Sequence, residues 1–165
     1  MKQPKALTIR EYPVEESLGG MLSQIVRILN PWFDLTMQEF GITYGTWPYM
    51  RELLKGDGIS QRELAKRVGS SPPTALAAIR ALEAIGYVAS TADARDRRRI
   101  IVHLTQKGRA VEREIIPCVA SMNPQVLKGL TKSEVAALFR MLQTINANAV
   151  RALAERQNAT DGDAA

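Results

Sequence analysis

A chain that caps a helix, ends it on glycine, restarts on Ser-Pro and then alternates has few folds open to it. Residues Ile59 to Thr105 do these things in order. Ser60 followed by Glu63 is a capping box, in which hydroxyl and carboxylate take up the orphan N–H groups of a helix start. Leu64, Ala65 and Val68 give that helix its buried stripe. Gly69 suits a left-handed terminating residue, and Ser71 with Pro72 suits the cap and first position of the next helix. That second helix is expected from Pro72 to Ile85, with Leu76, Ile79 and Leu82 at helical spacing. Gly86 stops it, Tyr87 to Thr91 alternates as a strand, and Ile100, Val102 and Leu104 form the return strand. The loop between the strands, TADARDRRR, carries Arg95, Arg97, Arg98 and Arg99 beside Asp93 and Asp96, and projects its charge into solvent.

Two short helices followed by a basic hairpin outline a winged helix-turn-helix, with the second helix as recognition helix. The fold class is mainly α with a small β-hairpin wing, a winged helix-turn-helix flanked by dimerisation helices. Residues 1–13 read as a flexible N-terminal arm and residues 14–40 as an N-terminal dimerisation helix. Leu18, Met21, Leu22, Ile25, Leu29, Trp32 and Phe33 give that helix a face broad enough for both a core and a partner. Pro31 should kink it or restart it with Asn30 as cap. The DNA-binding lobe spans residues 41–105. Its first helix opens at Ile42 and Thr43, or at Thr46 if Pro48 is to lie in a first turn, and runs through Trp47 and Met50 to Leu54. Residues 106–155 supply the C-terminal dimerisation helices. Thr105 caps one carrying Val111, Ile115, Val119, Met122 and Val126, with a kink near Ile116 caused by Pro117. Thr131 and Glu134 form a second capping box, with Leu130 and Val135 placed as a hydrophobic staple. The last helix buries Val135, Leu138, Leu142 and Ile145, and residues 156–165 read as a disordered tail.

A length of 165 residues with 45% hydrophobic side chains suffices for a core. The net charge of +5 suits a nucleic-acid partner but also many proteins without one, so its placement in the wing is the informative part. No apolar run approaches the ~18 residues of a membrane span, and the N-terminus lacks a signal-peptide core. The expected location is cytoplasmic, with no membrane partner. The single cysteine, Cys118, excludes an internal disulfide and reads as a small hydrophobe on a helix. An enzyme is not expected. His103 is the only histidine and points away from the face of Val102 and Leu104, no Cys or His cluster has ligand spacing, and no serine sits in an elbow motif. No cofactor or metal is implied.

Leu82, Glu83 and Gly86, then Asp93, Asp96, Arg98, Leu104, Thr105 and Gly108, resemble the MarR family of transcriptional regulators. The D-x-R wing and the LTxxG that follows match closely, and the resemblance covers roughly residues 15 to 155. It implies that Arg98 enters a minor groove, where the negative potential is enhanced, held by Asp96 and with Arg95 and Arg97 on phosphates. The recognition helix departs from the pattern, since Ala77 stands where many members carry a polar or basic residue. Thr74 and Arg80 are its best donors. Either specificity comes from Ser70, Ser71, Thr74, methyl contacts and DNA shape, or the chain binds DNA poorly and acts through protein contacts.

Trp32 and Trp47, with Phe33, Tyr44 and Tyr49, should gather where the first two helices meet, as core packing or as the wall of a pocket. The resemblance implies a small anionic aromatic ligand there, near Met50, with Ser23 and Arg27 able to fix a carboxylate or phenol. The expected function is a homodimeric regulator of double-stranded DNA. In that reading it is a repressor released by a small aromatic or phenolic acid or its thioester. The alternative is a winged-helix interaction module without an operator.

Overall fold

The computed structural model describes residues 17–162, with side chains through residue 159. The expected arm and the first residues of the N-terminal helix lie outside the described residues. The order among these is α1 (Leu18–Thr36), α2 (Trp47–Lys55), β1 (Ile59–Ser60), α3 (Gln61–Val68), α4 (Pro72–Ala84), β2 (Val88–Ala92), β3 (Ile100–Leu104), α5 (Gln106–Ala110), α6 (Glu112–Val126) and α7 (Lys132–Gly162). The chain divides into two compact units, one ending at Ala120 and the other beginning at Ser121, so the boundary falls inside α6.

In the first unit each helix of the lobe turns an apolar stripe inward. Trp47, Tyr49, Met50 and Leu53 of α2, Leu64 and Ala65 of α3, and Ala75, Ala78, Ile79 and Leu82 of α4 are buried. Met37, Ile42, Val102 and Ile115 complete the core. Burying each of the larger side chains stabilises the fold by ~1.5–3 kcal/mol relative to exposure. The helix-turn-helix angle is set at Gly69, whose φ of 74° follows from two bonds that close α3, Gly69 N–H to Lys66 O and Ser70 N–H to Ala65 O. Three antiparallel strands stand in the order β1-β3-β2, with Val88 opposite Leu104 and Ile59 opposite Val102. Strand β1 has only two residues, too short for alternation to reveal, and the sequence reading missed it.

The wing is tied to the recognition helix at one point. Thr105 donates its N–H to Tyr87 O at 3.0 Å and its hydroxyl to Gly86 O at 2.7 Å, while its Oγ1 accepts from Gly108 N–H at 3.0 Å. Helix α5 lies so close to Tyr87 that a Cβ at residue 108 would stand 2.0 Å from the Tyr87 carbonyl oxygen. Lys107 adds a bond to Ile85 O at 2.7 Å and lies over the Tyr87 ring. A second tie holds the base of the sheet, where the Asp57 carboxylate accepts from Leu104 N–H and from the Arg109 guanidinium, each at 2.7 Å. Partial burial works to raise the Asp57 pKa, but the bonds from Leu104 and Arg109 outweigh it and leave it lowered.

Several local expectations need correction. Helix α1 runs unbroken through Pro31, and Asn30 sits inside it rather than capping a restart. Arg27 and Pro31 are exposed, so water can take the carbonyl that the proline leaves without a donor. Helix α2 begins at Trp47 with Pro48 in its first turn, the later of the two starts considered. Thr43 and Thr46 hold the turn before it by bonding each other's backbone N–H groups. After the wing the helix is interrupted at Val111, and α6 continues through the exposed Pro117. At Ser60 only half of the capping box forms, because the Glu63 carboxylate takes Arg67 at 2.9 Å. At Thr131 and Glu134 both halves form.

The second unit consists of the end of α6 and the 31-residue α7. Val135, Leu138, Leu142 and Ile145 are half-buried, whereas Phe139, Met141, Val150 and Leu153 are exposed. Helix α7 extends to Gly162, past the residue 156 at which the tail is expected to begin, and no glycine or proline interrupts it before that point. Among the described residues no helix is long and apolar enough to cross a membrane.

Alanine for glycine inside a helix ordinarily stabilises by up to ~1 kcal/mol. Gly108→Ala should do the reverse, costing ~3 kcal/mol or more in urea unfolding, whereas Gly19→Ala, where a Cβ meets open space, should cost nothing. Acid unfolding tests the second tie. A carboxyl whose folded pKa is lowered contributes stability above its unfolded pKa of about 4 and loses it as pH falls through the folded value. The melting temperature of Asp57→Asn should therefore be lower than wild type at neutral pH and fall less steeply below pH ~4. Parallel curves would remove Asp57 from the acid transition.

Candidate nucleic-acid interface

Helix α4 buries Ala75, Ala78, Ile79 and Leu82 and so leaves Thr74, Ala77, Arg80, Ala81 and Ala84 on its outer face. Three of these five are alanines, which offer a methyl group and no hydrogen bond. Ser71 caps the helix through Thr74 N–H at 3.4 Å, and its hydroxyl lies 2.8 Å from that of Thr74. One hydroxyl of that pair donates to the other, leaving one outward donor between them. Ser70 is half-buried, with only a long 3.5 Å bond to Ala65 O. Arg80 is exposed and stands about two and a half turns along from Ser71.

In the wing the carboxylates hold backbone. Asp93 Oδ1 accepts Arg95 N–H at 2.9 Å and Asp96 Oδ1 accepts Arg98 N–H at 3.0 Å, while Asp93 N–H to Arg99 O and Arg99 N–H to Asp96 O close the loop. Such Asp-to-backbone bonds replace a regular turn and fix the course of the chain. Asp96 thus touches Arg98 at the main chain and not at the guanidinium. Arg99 Nη1 lies 3.7 Å from Asp93, and the guanidinium groups of Arg95, Arg97 and Arg98 have no carboxylate partner among the described residues.

Between α3 and the wing lies an open cleft of about 1280 Å³, reaching the start of α4 at Ser70 and Pro72. Arg62 and Lys66 line it from α3 and Arg98 and Arg99 from the wing. The sequence reading overlooked Arg62 and Lys66. Their spacing of four residues, opposite the stripe of Leu64, Ala65 and Val68, was the available signal.

The five residues considered for a ligand do not converge. Trp47 and Met50 belong to the core, Trp32 is half-buried, and Ser23 and Arg27 are exposed on α1. Phe33 packs edge-on to Tyr44 and tilted against Trp47, with ring centroids 5.8 and 6.0 Å apart. One turn before Phe33, Asn30 Oδ1 is buried without a hydrogen-bond partner.

Residues 50–89 match the winged helix-turn-helix DNA-binding family. Among solved structures, the transcriptional repressor CouR bound to a 23-mer DNA duplex is 28% identical, with a TM-score of 0.74 over 86% of this chain and 99% of that one. A MarR transcriptional regulator from Methanosarcina mazei Go1 is 24% identical, with a TM-score of 0.75 over 81% and 96%. Bordetella bronchiseptica BpsR, whose DNA binding is regulated by 6-hydroxynicotinic acid, is 24% identical, with a TM-score of 0.73 over 82% and 96%. Joined to the Asp96-Arg97-Arg98 wing and the Leu104, Thr105 and Gly108 latch, this agreement gives the chain a winged helix-turn-helix DNA-binding fold similar to that of MarR transcriptional regulators.

Proposed function

We propose that the chain is a homodimeric repressor that reads its operator mainly through the wing and DNA shape, and that a small aromatic acid releases it. The observation that carries the reading is the wing itself. Three guanidinium groups project from a loop whose carboxylates are committed to its backbone, beside a recognition helix with an exposed face rich in methyl groups. Arg98 enters a minor groove, and Arg95 and Arg97 meet phosphates. Thr74, Ser70, Ser71 and Arg80 supply sparse major-groove contacts, with Ala77 against a thymine methyl. The similarity to CouR, solved on a duplex, supports DNA as the partner.

Apolar surface left uncovered in each unit supports the dimer. Leu18, Met21, Leu22, Ile25 and Ile28 of α1 are exposed, as are Phe139, Met141, Val150 and Leu153 of α7. A soluble monomer rarely leaves that much in water. Two-fold symmetry sets the recognition helices ~34 Å apart, so the operator is an imperfect palindrome with half-site centres one turn apart. For the effector, support comes from the aromatic group of Phe33, Tyr44 and Trp47 and from the orphan Asn30 oxygen, which a phenol or acid O–H can satisfy. In this reading the ligand enters beside Trp32 and Trp47 over Met50, and Ser23 or Arg27 receives its carboxylate after α1 adjusts.

Gel shifts with fragments of the chain's own upstream DNA should show two chains per palindromic site. Arg98→Ala should weaken binding on the order of tenfold, more on narrow A·T-rich flanks than on G·C flanks, and Arg97→Ala should weaken both alike. Absence of duplex binding by wild type would instead favour the interaction-module alternative. Benzoates, phenols and their thioesters should quench tryptophan emission and reduce DNA affinity ~5- to 150-fold, the range of ordinary coupling energies. If none of them does either, the aromatic group is core packing alone.

A further inference from the structure

The cleft between α3 and the wing has a basic wall that the wing-led reading leaves unused. Arg62 and Lys66 are exposed, stand one helical turn apart on the same face of α3, and make no ion pair or hydrogen bond through their side chains among the described residues. The two acids lining the cleft, Glu63 and Asp96, offset its cations only in part, although Lys66 does act on Glu63 through space. Glu63 is engaged by Arg67, whose hydrogen bond is the main reason that its carboxyl stays below the usual range. Asp96 spends an oxygen on the Arg98 backbone. Four cationic side chains, Arg62 and Lys66 opposite Arg98 and Arg99, therefore face one open trough against two carboxylates, with Asp93 at 3.7 Å from Arg99, and positive charge is in excess there.

We infer that this cleft seats one sugar-phosphate strand of the duplex, with Arg62 and Lys66 of α3 as phosphate contacts opposite the wing. The inference rests on the DNA-binding reading and assigns the gap between its two reading elements. If α4 enters a major groove and the wing the adjacent minor groove, the strand that separates those grooves passes between α4 and the wing. The cleft occupies that space, from the start of α4 to Arg98 and Arg99. Its cations carry no base code, so they set register and affinity rather than sequence preference.

The test is the salt dependence of binding to a mixed-sequence duplex of about 30 base pairs, measured with the full chain by fluorescence anisotropy. Each neutralised phosphate contributes a slope of about 0.9 in log affinity against log salt. Arg62→Ala/Lys66→Ala should lower the slope by about 3.6 over two protomers and weaken affinity on the order of a hundredfold at ordinary salt. The ratio of operator to mixed-sequence affinity should stay the same, and Arg62→Lys/Lys66→Arg should retain the wild-type slope. Both variants should melt as wild type does, because the side chains are exposed and unpaired. If the alanine pair stays within twofold of wild type while Arg98→Ala weakens binding, the cleft assignment falls and the DNA-binding reading stands. If the lysine/arginine swap loses as much as the alanine pair, the two side chains are structural and the assignment falls likewise. Wild type that binds no duplex at any salt overturns both.

Discussion

One carbonyl governs the geometry of the DNA-facing lobe. Tyr87 O receives the Thr105 N–H and, at 3.3 Å, a share of the Thr105 hydroxyl, and it faces the bare Cα of Gly108. The end of α4, the start of β2, the end of β3 and the start of α5 meet there. The position of the wing relative to the recognition helix is therefore not left to a flexible linker. A side chain at residue 108 would push α5 off this carbonyl, and the hairpin would lose the support at its root. Packing at the point of contact is close to incompressible, so a local intrusion is felt as a displacement rather than absorbed.

The interface separates the groups that shape it from the groups that act. Carboxylates in the wing bond backbone N–H groups, and the Ser71 and Thr74 hydroxyls bond the start of α4. Exposed guanidinium groups remain uncommitted, so few protein ion pairs must break when phosphates arrive. Surface ion pairs are worth at most about 1 kcal/mol, and the one at Arg99 is long, so it would exchange easily for a phosphate. The methyl-rich face of α4 adds shape and exclusion of water but little hydrogen bonding.

Much of the lobe was legible in the residues because its signals are local. Ser71 with Pro72, Gly69 and Gly86 bound the two helices, and the alternation of Val102 and Leu104 marks the return strand. The misreadings share a cause. Proline predicts a kink or a restart at residue 31 and a kink at residue 117, yet both lie on exposed stretches where water serves the carbonyl left over, and each helix continues through its proline. Glu63 has two partners within reach, and only the folded chain shows that Arg67 wins. Arg62 and Lys66 went unnoticed because a pair of cations on a helix is ordinarily a solvated face, and the cleft that gives them meaning is formed by residues some thirty positions later. The ligand candidates follow from where the first two helices meet and from the family resemblance, and α1 spreads two of them, Ser23 and Trp32, over nine residues, about 13 Å of helix.

Asp57 has a consequence beyond its bonds to Leu104 and Arg109. Strand β1 covers only two residues of β3, so the rest of that edge is open to pairing by another extended segment. A carboxylate on Leu104 N–H occupies the donor at which such pairing would continue, and its negative charge repels an incoming backbone carbonyl. The stub of β1 and the acid before it thus close the sheet on that side, and the lobe keeps a strand edge without offering it as a template for aggregation.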